Sequence, residues 1–440
     1  MVRVRETVPL MADAVVRLGL LGCGNVGAAL VRLIADNGDV VAARAGVRLE
    51  VTRIAVRDLT RDRGLPAGPW TFTDDAASVV AADDVDLVVE VMGPIEPAGE
   101  LILDSLRRGK PVVTANKALL AAKGAALFAA AEDAGLDLLF EAAVGGGIPL
   151  IRPLRESLAG DRIGRALGIV NGTTNYILTR MTEAGSTFAD ALAEAQALGF
   201  AEADPTADVE GFDAAAKAAI IASIAFGADV RDADVHREGI TGISAADISS
   251  ADELGYIVKL LAIVEEREGR IGARVHPTMV PVHHPLASVR ESFNAIFIEG
   301  EATGEVMLYG RGAGGFPTAS AVLGDVIDAA KNLRSGSRGA TIGTLTRREI
   351  LPIDDVRSRY YLEVEAADRP GVLAAVADTF GRHGVSIESM AQRGIGEGAR
   401  LIFVTHAARE ADLRATVEDL RSTEVVQRVG SVIRVLGADA

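Results

Sequence analysis

The stretch V-R-L-G-L-L-G-C-G-N-V-G, residues 16–27, decides the fold of this 440-residue chain. Its first half is apolar and predicts a buried strand, while its second half carries glycines in the spacing G-x-G-x-x-G before a helical pattern. Such glycines permit a tight turn, a close approach of backbone amides to a pyrophosphate, and close packing of helix on strand. The helix N-terminus also favours an anion. The predicted cofactor contacts are Gly22, Gly24, Asn25, Val26 and Gly27. A purely structural glycine turn is the alternative.

The region around this loop alternates short apolar runs with helical patterns. Strands are predicted at residues 16–21, 49–56, 87–92, 111–114 and 136–141, and helices at 26–35, 97–108 and 117–134. That alternation indicates a parallel sheet covered by helices. The fold class is therefore α/β, with a doubly wound, Rossmann-type nucleotide-binding domain at the start of the chain.

Two positions near the carboxyl edge of this sheet bear on the cofactor. The second strand is followed by Arg57 and Asp58. A guanidinium suits the 2′-phosphate of NADP, whereas an acid suits the ribose of NAD, so NADP is favoured and NAD stays possible. After the strand at 111–114, the run T-A-N-K places Thr114 and Lys117 where α/β sheets bind ligands. Lys117 either meets a ligand there or is a solvated lysine at a helix start.

The remaining sequence predicts two further domains. Helical patterns at 175–183, 188–198 and 211–226 combine with strand patterns at 166–171, 275–282 and 293–300. These predict a second, α+β domain, to which the family resemblance given below assigns substrate binding and dimerisation. A glycine-rich segment at 311–317 then opens a helix, and the C-terminal region follows the order βαββαβ of a ferredoxin-like module. The predicted domains are residues 15–144 with about 310–345, residues 145–309, and residues 357–437.

One apolar helical stretch carries the candidate catalytic residues. Asp213 and Lys217 are four residues apart and therefore share a helix face. Glu202 and Asp208 precede them in a loop, so four titratable groups can converge. Oxidising an alcohol with a nicotinamide requires a group that takes the hydroxyl proton, and a partly desolvated lysine does this. The neighbouring carboxylate favours the ammonium form instead, and an ordinary helix ion pair is the alternative.

The run E-A-A-V-G-G-G-I-P, residues 141–149, joins the nucleotide domain to the rest. Three consecutive glycines allow a bend that turns carbonyl oxygens inward. One carboxylate and several carbonyls form an oxygen set that suits a monovalent or alkaline-earth cation. A flexible hinge is the alternative, and from the pattern alone it is the better interpretation.

The bulk composition disfavours several classes of partner. The formal net charge is −16, which repels phosphate backbones and anionic lipids, so binding to nucleic acid or a membrane surface is not expected. Cys23 is the only cysteine, which excludes an intrachain disulfide and a cysteine-based metal site. No signal-peptide pattern is present, and a soluble cytoplasmic protein is predicted.

Six segments together resemble the homoserine dehydrogenase family over nearly the whole chain. They are G-L-L-G-C-G-N-V-G (19–27), T-A-N-K-A-L-L-A (114–121), E-A-A-V-G-G-G-I-P (141–149), G-I-V-N-G-T-T-N-Y-I-L (168–178), L-G-F-A-E-A-D-P…D-V-E-G-F-D-A-A-A-K (198–217) and G-R-G-A-G-G-F-P-T-A-S-A-V-L-G-D (310–325). The resemblance implies NAD(P)-dependent interconversion of L-homoserine and L-aspartate 4-semialdehyde, on the pathway to threonine and methionine.

The same resemblance implies roles for individual residues. Lys217 corresponds to the proposed acid/base, with Lys117 as a second candidate for the proton transfer. Asp208 and Asp213 correspond to acids that hold substrate or water, and Glu202 to the one that binds the substrate amino group. The resemblance reverses the hinge interpretation and implies a sodium site at Glu141 and the backbone oxygens of Val144, Gly146 and Ile148. It also implies that the glycine-rich segment around Gly315 returns to the cofactor, and that the chain forms a homodimer or homotetramer.

The C-terminal module resembles an ACT domain. Its strand-to-helix loop is A-D-R-P-G-V-L, residues 367–373, and ACT domains commonly bind amino acids at that loop. The resemblance therefore implies threonine as an effector, with Asp368 and Gly371 as the expected contacts. A structural dimerisation module is the alternative.

Overall fold

The computed structural model describes residues 14–395 and 398–437, which divide into two compact units. The first unit comprises residues up to 162 together with 219–232 and 308–347, and the second comprises 163–218, 233–307 and the residues from 348 onward. No helix among the described residues is long and apolar enough to cross a membrane.

The first unit is built on a parallel sheet. Its strands are β1 (Val15–Leu21), β2 (Arg48–Ala55), β3 (Thr71–Thr73), β4 (Leu87–Glu90), β5 (Val112–Thr114) and β6 (Leu138–Leu139). The helices between them are α1 (Asn25–Ala45), α2 (Ala76–Ala81), α3 (Ala98–Arg107) and α4 (Lys117–Ala134). The strand order is β3-β2-β1-β4-β5-β6, so the direction of winding reverses between β1 and β4. Ligands of such sheets bind outside the carboxyl ends of the strands at this reversal, and the predicted Rossmann-type domain is confirmed.

The second unit contains a mixed sheet and the helices that carry Asp208, Asp213 and Lys217, which are called the acid–lysine cluster. The elements that follow β6 are β7 (Ile163–Ile169), α5 (Gly172–Ala184), α6 (Phe188–Ala197), α7 (Thr206–Val209), α8 (Phe212–Phe226), β8 (His236–Arg237), α9 (Ala245–Glu253), β9 (Tyr256–Arg267), β10 (Arg270–Pro281), β11 (Phe293–Gly300), β12 (Gly304–Arg311) and α10 (Gly315–Ser335). The helix α8 begins in the second unit and ends in the first, and α10 belongs to the first.

The C-terminal module completes the second unit. It contains β13 (Arg357–Ala367), α11 (Val372–Arg382), β14 (Ile387–Ile395), β15 (Gly398–Thr405), β16 (Ala408–Arg409), α12 (Glu410–Ser422) and β17 (Val426–Val435). The predicted βαββαβ order is confirmed, with the short β16 added before the last helix. The strands run β12-β11-β7-β9-β10-β17-β13-β15-β14, so one sheet continues from the strands between β7 and β12, called the middle sheet, into this module through β17.

Candidate active site

The glycine-rich loop after β1 is crowded by backbone atoms, both its own and those that follow β4. Gly22 has a φ of 102°, and a Cβ there would lie 2.8 Å from the carbonyl oxygen of Val91. A Cβ on Gly27 would lie 2.4 Å from the carbonyl oxygen of Gly22. Neither position has room for a side chain, so the close turn between β1 and α1 requires glycine at both.

The first turn of α1 offers its backbone N–H groups to an anion. The helix begins at Asn25 with Gly24 as an N-cap that has no capping side chain, and no acid lies in its first turn. Gly24 and Asn25 are exposed, and Val26 is half-buried. The first amides of a helix have no acceptor within it, so this terminus fits a pyrophosphate. Gly315, at the start of α10, packs against it, with its Cβ position 3.2 Å from the carbonyl oxygen of Asn25.

The loop after β2 presents cations beside the glycine-rich turn. Arg57 is exposed, and its guanidinium makes no hydrogen bond or ion pair within the described part of the chain. The carboxylate of Asp58 accepts from Thr60 Oγ1 (2.6 Å) and from the Thr60 amide (2.9 Å), which lowers the pKa of Asp58. Arg63 donates to the carbonyl oxygens of Cys23 (3.1 Å) and Asp58 (2.7 Å). The carboxylate of Asp58 is therefore engaged in a local turn, whereas the exposed guanidinium of Arg57 can bind a phosphate.

The edge formed by β4 and β5 contains a buried acid that the sequence analysis missed. Glu90, the last residue of β4, is fully buried and accepts from Thr114 Oγ1 at 2.6 Å and from the Met92 amide at 2.7 Å. Burial raises the pKa of Glu90 despite these bonds. Lys117 is the exposed first residue of α4, three residues after the end of β5. The signal for Glu90 was an acid that ends the apolar run L-V-V-E.

Three of the five predicted catalytic or substrate residues are brought together in the second unit. Lys217 donates to Asp213 Oδ2 at 2.7 Å and to the carbonyl oxygen of Val170 at 2.6 Å. The side chains of Asp213 and Lys217 are 6% and 10% exposed, so this ion pair is buried rather than solvated. Asp208, from α7, is joined to Asp213 through the amide of Asn171. The cluster combines one amine with two carboxylates.

Glu202 is not hydrogen-bonded to that cluster in the described structure. It is exposed, and its carboxylate makes no hydrogen bond or ion pair among the residues that the structure describes. Its loop is fixed to α5, because Thr173 Oγ1 donates to the carbonyl oxygen of Phe200 at 2.7 Å and the rings of Tyr176 and Phe200 are 5.0 Å apart. A substrate group is therefore free to approach this carboxylate.

The loop at 141–149 has an anchored carboxylate and unsatisfied carbonyls. The carboxylate of Glu141 accepts from the amides of Leu150, Ile151 and Arg152 at 2.5, 2.8 and 2.8 Å. Residues 144, 146 and 148 are buried, yet none of their carbonyl oxygens accepts a hydrogen bond within the described chain. Buried carbonyls without donors fit a cation bound by backbone oxygens. No group of three or more His, Cys, Asp or Glu side chains that suits a metal occurs among the described residues.

The C-terminal module has a cavity of about 360 Å³ at its strand-to-helix loop. Asp368 and Gly371 line it, and Asp368 accepts from Gln392 Nε2 at 3.3 Å across it. Gly371 precedes α11 with a φ of 93°, a conformation that favours glycine. The two predicted regulatory residues therefore border one cavity that is large enough for a small molecule.

Three family models match successive parts of the chain. The model described as "Homoserine dehydrogenase, NAD binding domain" matches residues 22–141, "Homoserine dehydrogenase" matches 149–327, and "ACT domain" matches 360–425. These ranges contain the glycine-rich loop, the acid–lysine cluster and the C-terminal cavity respectively.

Whole-length relatives give the same result. A homoserine dehydrogenase of Mycobacterium bovis is 52% identical over 433 residues, which covers 96% of this chain and 98% of the relative. One of Corynebacterium glutamicum is 53% identical over 424 residues, with 95% of each chain covered. The crystal structure of a homoserine dehydrogenase from Thiobacillus denitrificans has a TM-score of 0.91 at 40% identity, over 96% of this chain and 98% of that one.

Proposed function

The chain belongs to the homoserine dehydrogenase family, and we propose that Lys217 transfers the proton when L-homoserine and L-aspartate 4-semialdehyde are interconverted. The observation that carries the proposal is the buried amine of Lys217, held 2.7 Å from Asp213. A nicotinamide cofactor accepts or supplies the hydride when bound. In the oxidative direction the neutral amine takes the hydroxyl proton, and in the reductive direction the ammonium returns it.

The carboxylates around Lys217 have separate tasks in this proposal. Asp213 fixes the amine, and Asp208 beside it holds a substrate hydroxyl or a water molecule. Glu202, whose carboxylate is exposed, binds the amino group of the substrate. Lys117, at the start of α4, is the second candidate for the proton transfer.

Substitution of the two lysines separates these candidates. We expect Lys217→Ala to lower kcat for homoserine oxidation by roughly a hundredfold or more. The reaction is measured by the absorbance of the reduced nicotinamide. Lys123→Ala is the control, because Lys123 is an exposed residue of α4 paired with Glu96. Turnover that survives in Lys217→Ala but is lost in Lys117→Ala would transfer the role to Lys117. A folded wild type without activity on homoserine would refute the assignment of the substrate.

We also propose NADP as the preferred nicotinamide, with NAD as the weaker alternative. The free guanidinium of Arg57 suits a 2′-phosphate, and the carboxylate of Asp58 is already engaged by Thr60. The same assay run with each nucleotide tests this preference, since NAD should then show the higher KM.

The loop at 141–149 supports a sodium site in this proposal. The carbonyl oxygens of Val144, Gly146 and Ile148 would hold the ion, and Glu141 would fix the loop around it. Such an ion would order the backbone between the nucleotide-binding and catalytic segments of the chain. Replacing sodium by a bulky organic cation in the assay tests the requirement.

Threonine is the proposed effector, bound in the cavity bordered by Asp368 and Gly371. An acid beside a helix start offers partners for the amino and carboxylate groups of an amino acid. Feedback on the pathway to threonine and methionine would follow. A homodimer or homotetramer, a cytoplasmic location and the predicted three-domain boundaries stay predictions from the sequence.

A further inference from the structure

The side chain of Asn171 connects the two acids of the cluster. Its Nδ2 donates to Asp208 Oδ1 at 2.7 Å and to Asp213 Oδ2 at 3.0 Å. Its Oδ1 accepts from the Thr174 amide at 2.9 Å, which caps α5. Asn171 is 5% exposed. A side-chain amide has two N–H donors, so both are used on the two carboxylates and the oxygen is used on the helix.

The oxygen that Asn171 holds is the one that binds the lysine. Asp213 Oδ2 accepts from both Asn171 Nδ2 and Lys217 Nζ. The carbonyl of Val170, the preceding residue, accepts the second bond of the same amine. Two neighbouring carboxylates repel each other unless a donor lies between them. The dipeptide at the end of β7 therefore fixes both members of the ion pair and one further acid.

We propose that Asn171 is a positioning residue for the dehydrogenase reaction, whose amide holds Asp208 and Asp213 side by side and keeps Asp213 against the amine of Lys217. The inference rests on the proposed role of Lys217 in proton transfer. Asn171 acts through the acids and does not itself take part in the chemistry. It was absent from the residues that the sequence predicted for the site.

The two functions of Asn171 use different atoms, which makes them separable by substitution. Capping of α5 requires only a side-chain oxygen, and Asp and Ser supply one as well as Asn does. Holding both acids requires two donors, whereas an ionised Asp has none and Ser has a single, shorter O–H donor. Asn171→Asp also places a third carboxylate in the cluster, whereas Asn171→Ser adds no charge.

The test compares these variants in the full-length enzyme, with kcat and KM measured across a range of pH and with thermal unfolding. We expect both variants to lower kcat for homoserine by roughly 10- to 100-fold, with the KM for the nicotinamide unchanged. In Asn171→Asp the alkaline rise of kcat/KM should also move to higher pH by roughly half a unit or more, because the added negative charge favours the ammonium of Lys217. Asn171→Ser should show a smaller shift.

Thr187→Ala is the matched control, since the side chain of Thr187 caps the neighbouring helix α6 and, among the described residues, bonds only to Asp190. It should lower the unfolding temperature without moving kcat or the pH profile. Unchanged kcat and pH profiles in both Asn171 variants would reduce Asn171 to a helix cap and overturn the proposal. A Lys217→Ala enzyme that keeps full turnover would instead overturn the role of the lysine, and a lower kcat in both Asn171 variants would then support only the positioning of Asp208 and Asp213.

Discussion

Lys259 is a buried amine outside the proposed reaction. It lies in β9, is 2% exposed, and donates to Asn175 Oδ1 at 2.9 Å and to the carbonyl oxygen of Val289 at 2.5 Å. Burial is the main cause that lowers its pKa to about 8, aided by the positive charge of Arg290 and opposed by Glu183. The contacts of Lys259 therefore require the ammonium group to lose its water, which costs free energy.

This burial gives the stability of the protein a defined dependence on pH. Because the unfolded chain binds the Lys259 proton more tightly than the folded one, the free energy of unfolding should rise between about pH 8 and about pH 10.5, by at most about 3 kcal/mol. Below pH 8 the penalty is fully present and constant. Lys259→Met should lose this rise, measured by urea unfolding over that range. Parallel pH curves for wild type and variant would contradict the prediction, whatever their absolute offset.

The residues of the cluster show what sequence could and could not supply. Asp213 and Lys217 share one helix, so their spacing of four predicted their contact correctly. Asn171 was missed because its bonds to Asp208 and Asp213 span 37 and 42 residues and depend on how β7 meets α7 and α8. Long-range geometry of this kind has no periodic signal.

At the scale of elements, α1 and β9 show why the predictions from the sequence differed from the structure. The helix α1 was expected to end at residue 35 but continues to Ala45, because Val41 and Ala42 are buried on its inner face and Gly46 provides the left-handed end. The strand β9 was not predicted, since a short apolar run fits a helix or a strand equally well. The turn at Glu268 and Gly269, with φ values of 51° and 80°, was the signal that could have found the β9–β10 hairpin.

The junction of β1 and α1 gives a prediction at this scale. A methyl group at Gly27 would meet the carbonyl oxygen of Gly22 at 2.4 Å, so Gly27→Ala must displace the loop that receives the pyrophosphate. We expect the KM for the nicotinamide to rise about tenfold or more and the stability to fall by about 1–3 kcal/mol.

Gly38→Ala, in the same helix, is the control for Gly27→Ala. A Cβ at Gly38 meets no atom within 4 Å. The KM of the Gly38→Ala enzyme for the nicotinamide should therefore stay unchanged, and its free energy of unfolding should rise by up to about 1 kcal/mol. An unchanged KM in Gly27→Ala would mean that the loop tolerates displacement and that its glycine spacing is not required for cofactor binding.

On the scale of the molecule, β17 joins the ACT domain to the middle sheet of the second unit. It pairs with β13 inside the ACT domain and, at Thr278 and Met279, with β10 of the middle sheet. Leu436, just after β17, is buried in the core of that sheet. The side chain of Arg434 adds an ion cluster, because it binds Glu238 at 2.8 and 2.9 Å and Glu410 at the same distances.

The cluster is only partly sheltered from solvent. The side chain of Arg434 is 6% exposed and that of Glu410 is 15% exposed, whereas Glu238 is 41% exposed. Burial pushes the pKa of Glu238 upward, but hydrogen bonds from His236 and Arg434 hold it well below its usual range. Removing Arg434 would therefore cost more at Glu410 than at Glu238, because water reaches the carboxylate of Glu238 more easily.

We predict that Arg434→Met destabilises the second unit by about 2–3 kcal/mol, the cost of leaving the mostly buried carboxylate of Glu410 with the hydroxyl of Tyr360 but without its cation. Arg428→Met on the same strand is the control, because its pair with Glu365 is exposed and should contribute less than about 1 kcal/mol. Adding Glu410→Gln to Arg434→Met should recover much of the lost free energy of unfolding, measured with urea, because residue 410 then carries no charge. If Arg434→Met costs no more than Arg428→Met, strand pairing and the burial of Leu436 hold the ACT domain to the middle sheet, and the ion cluster contributes little to that attachment.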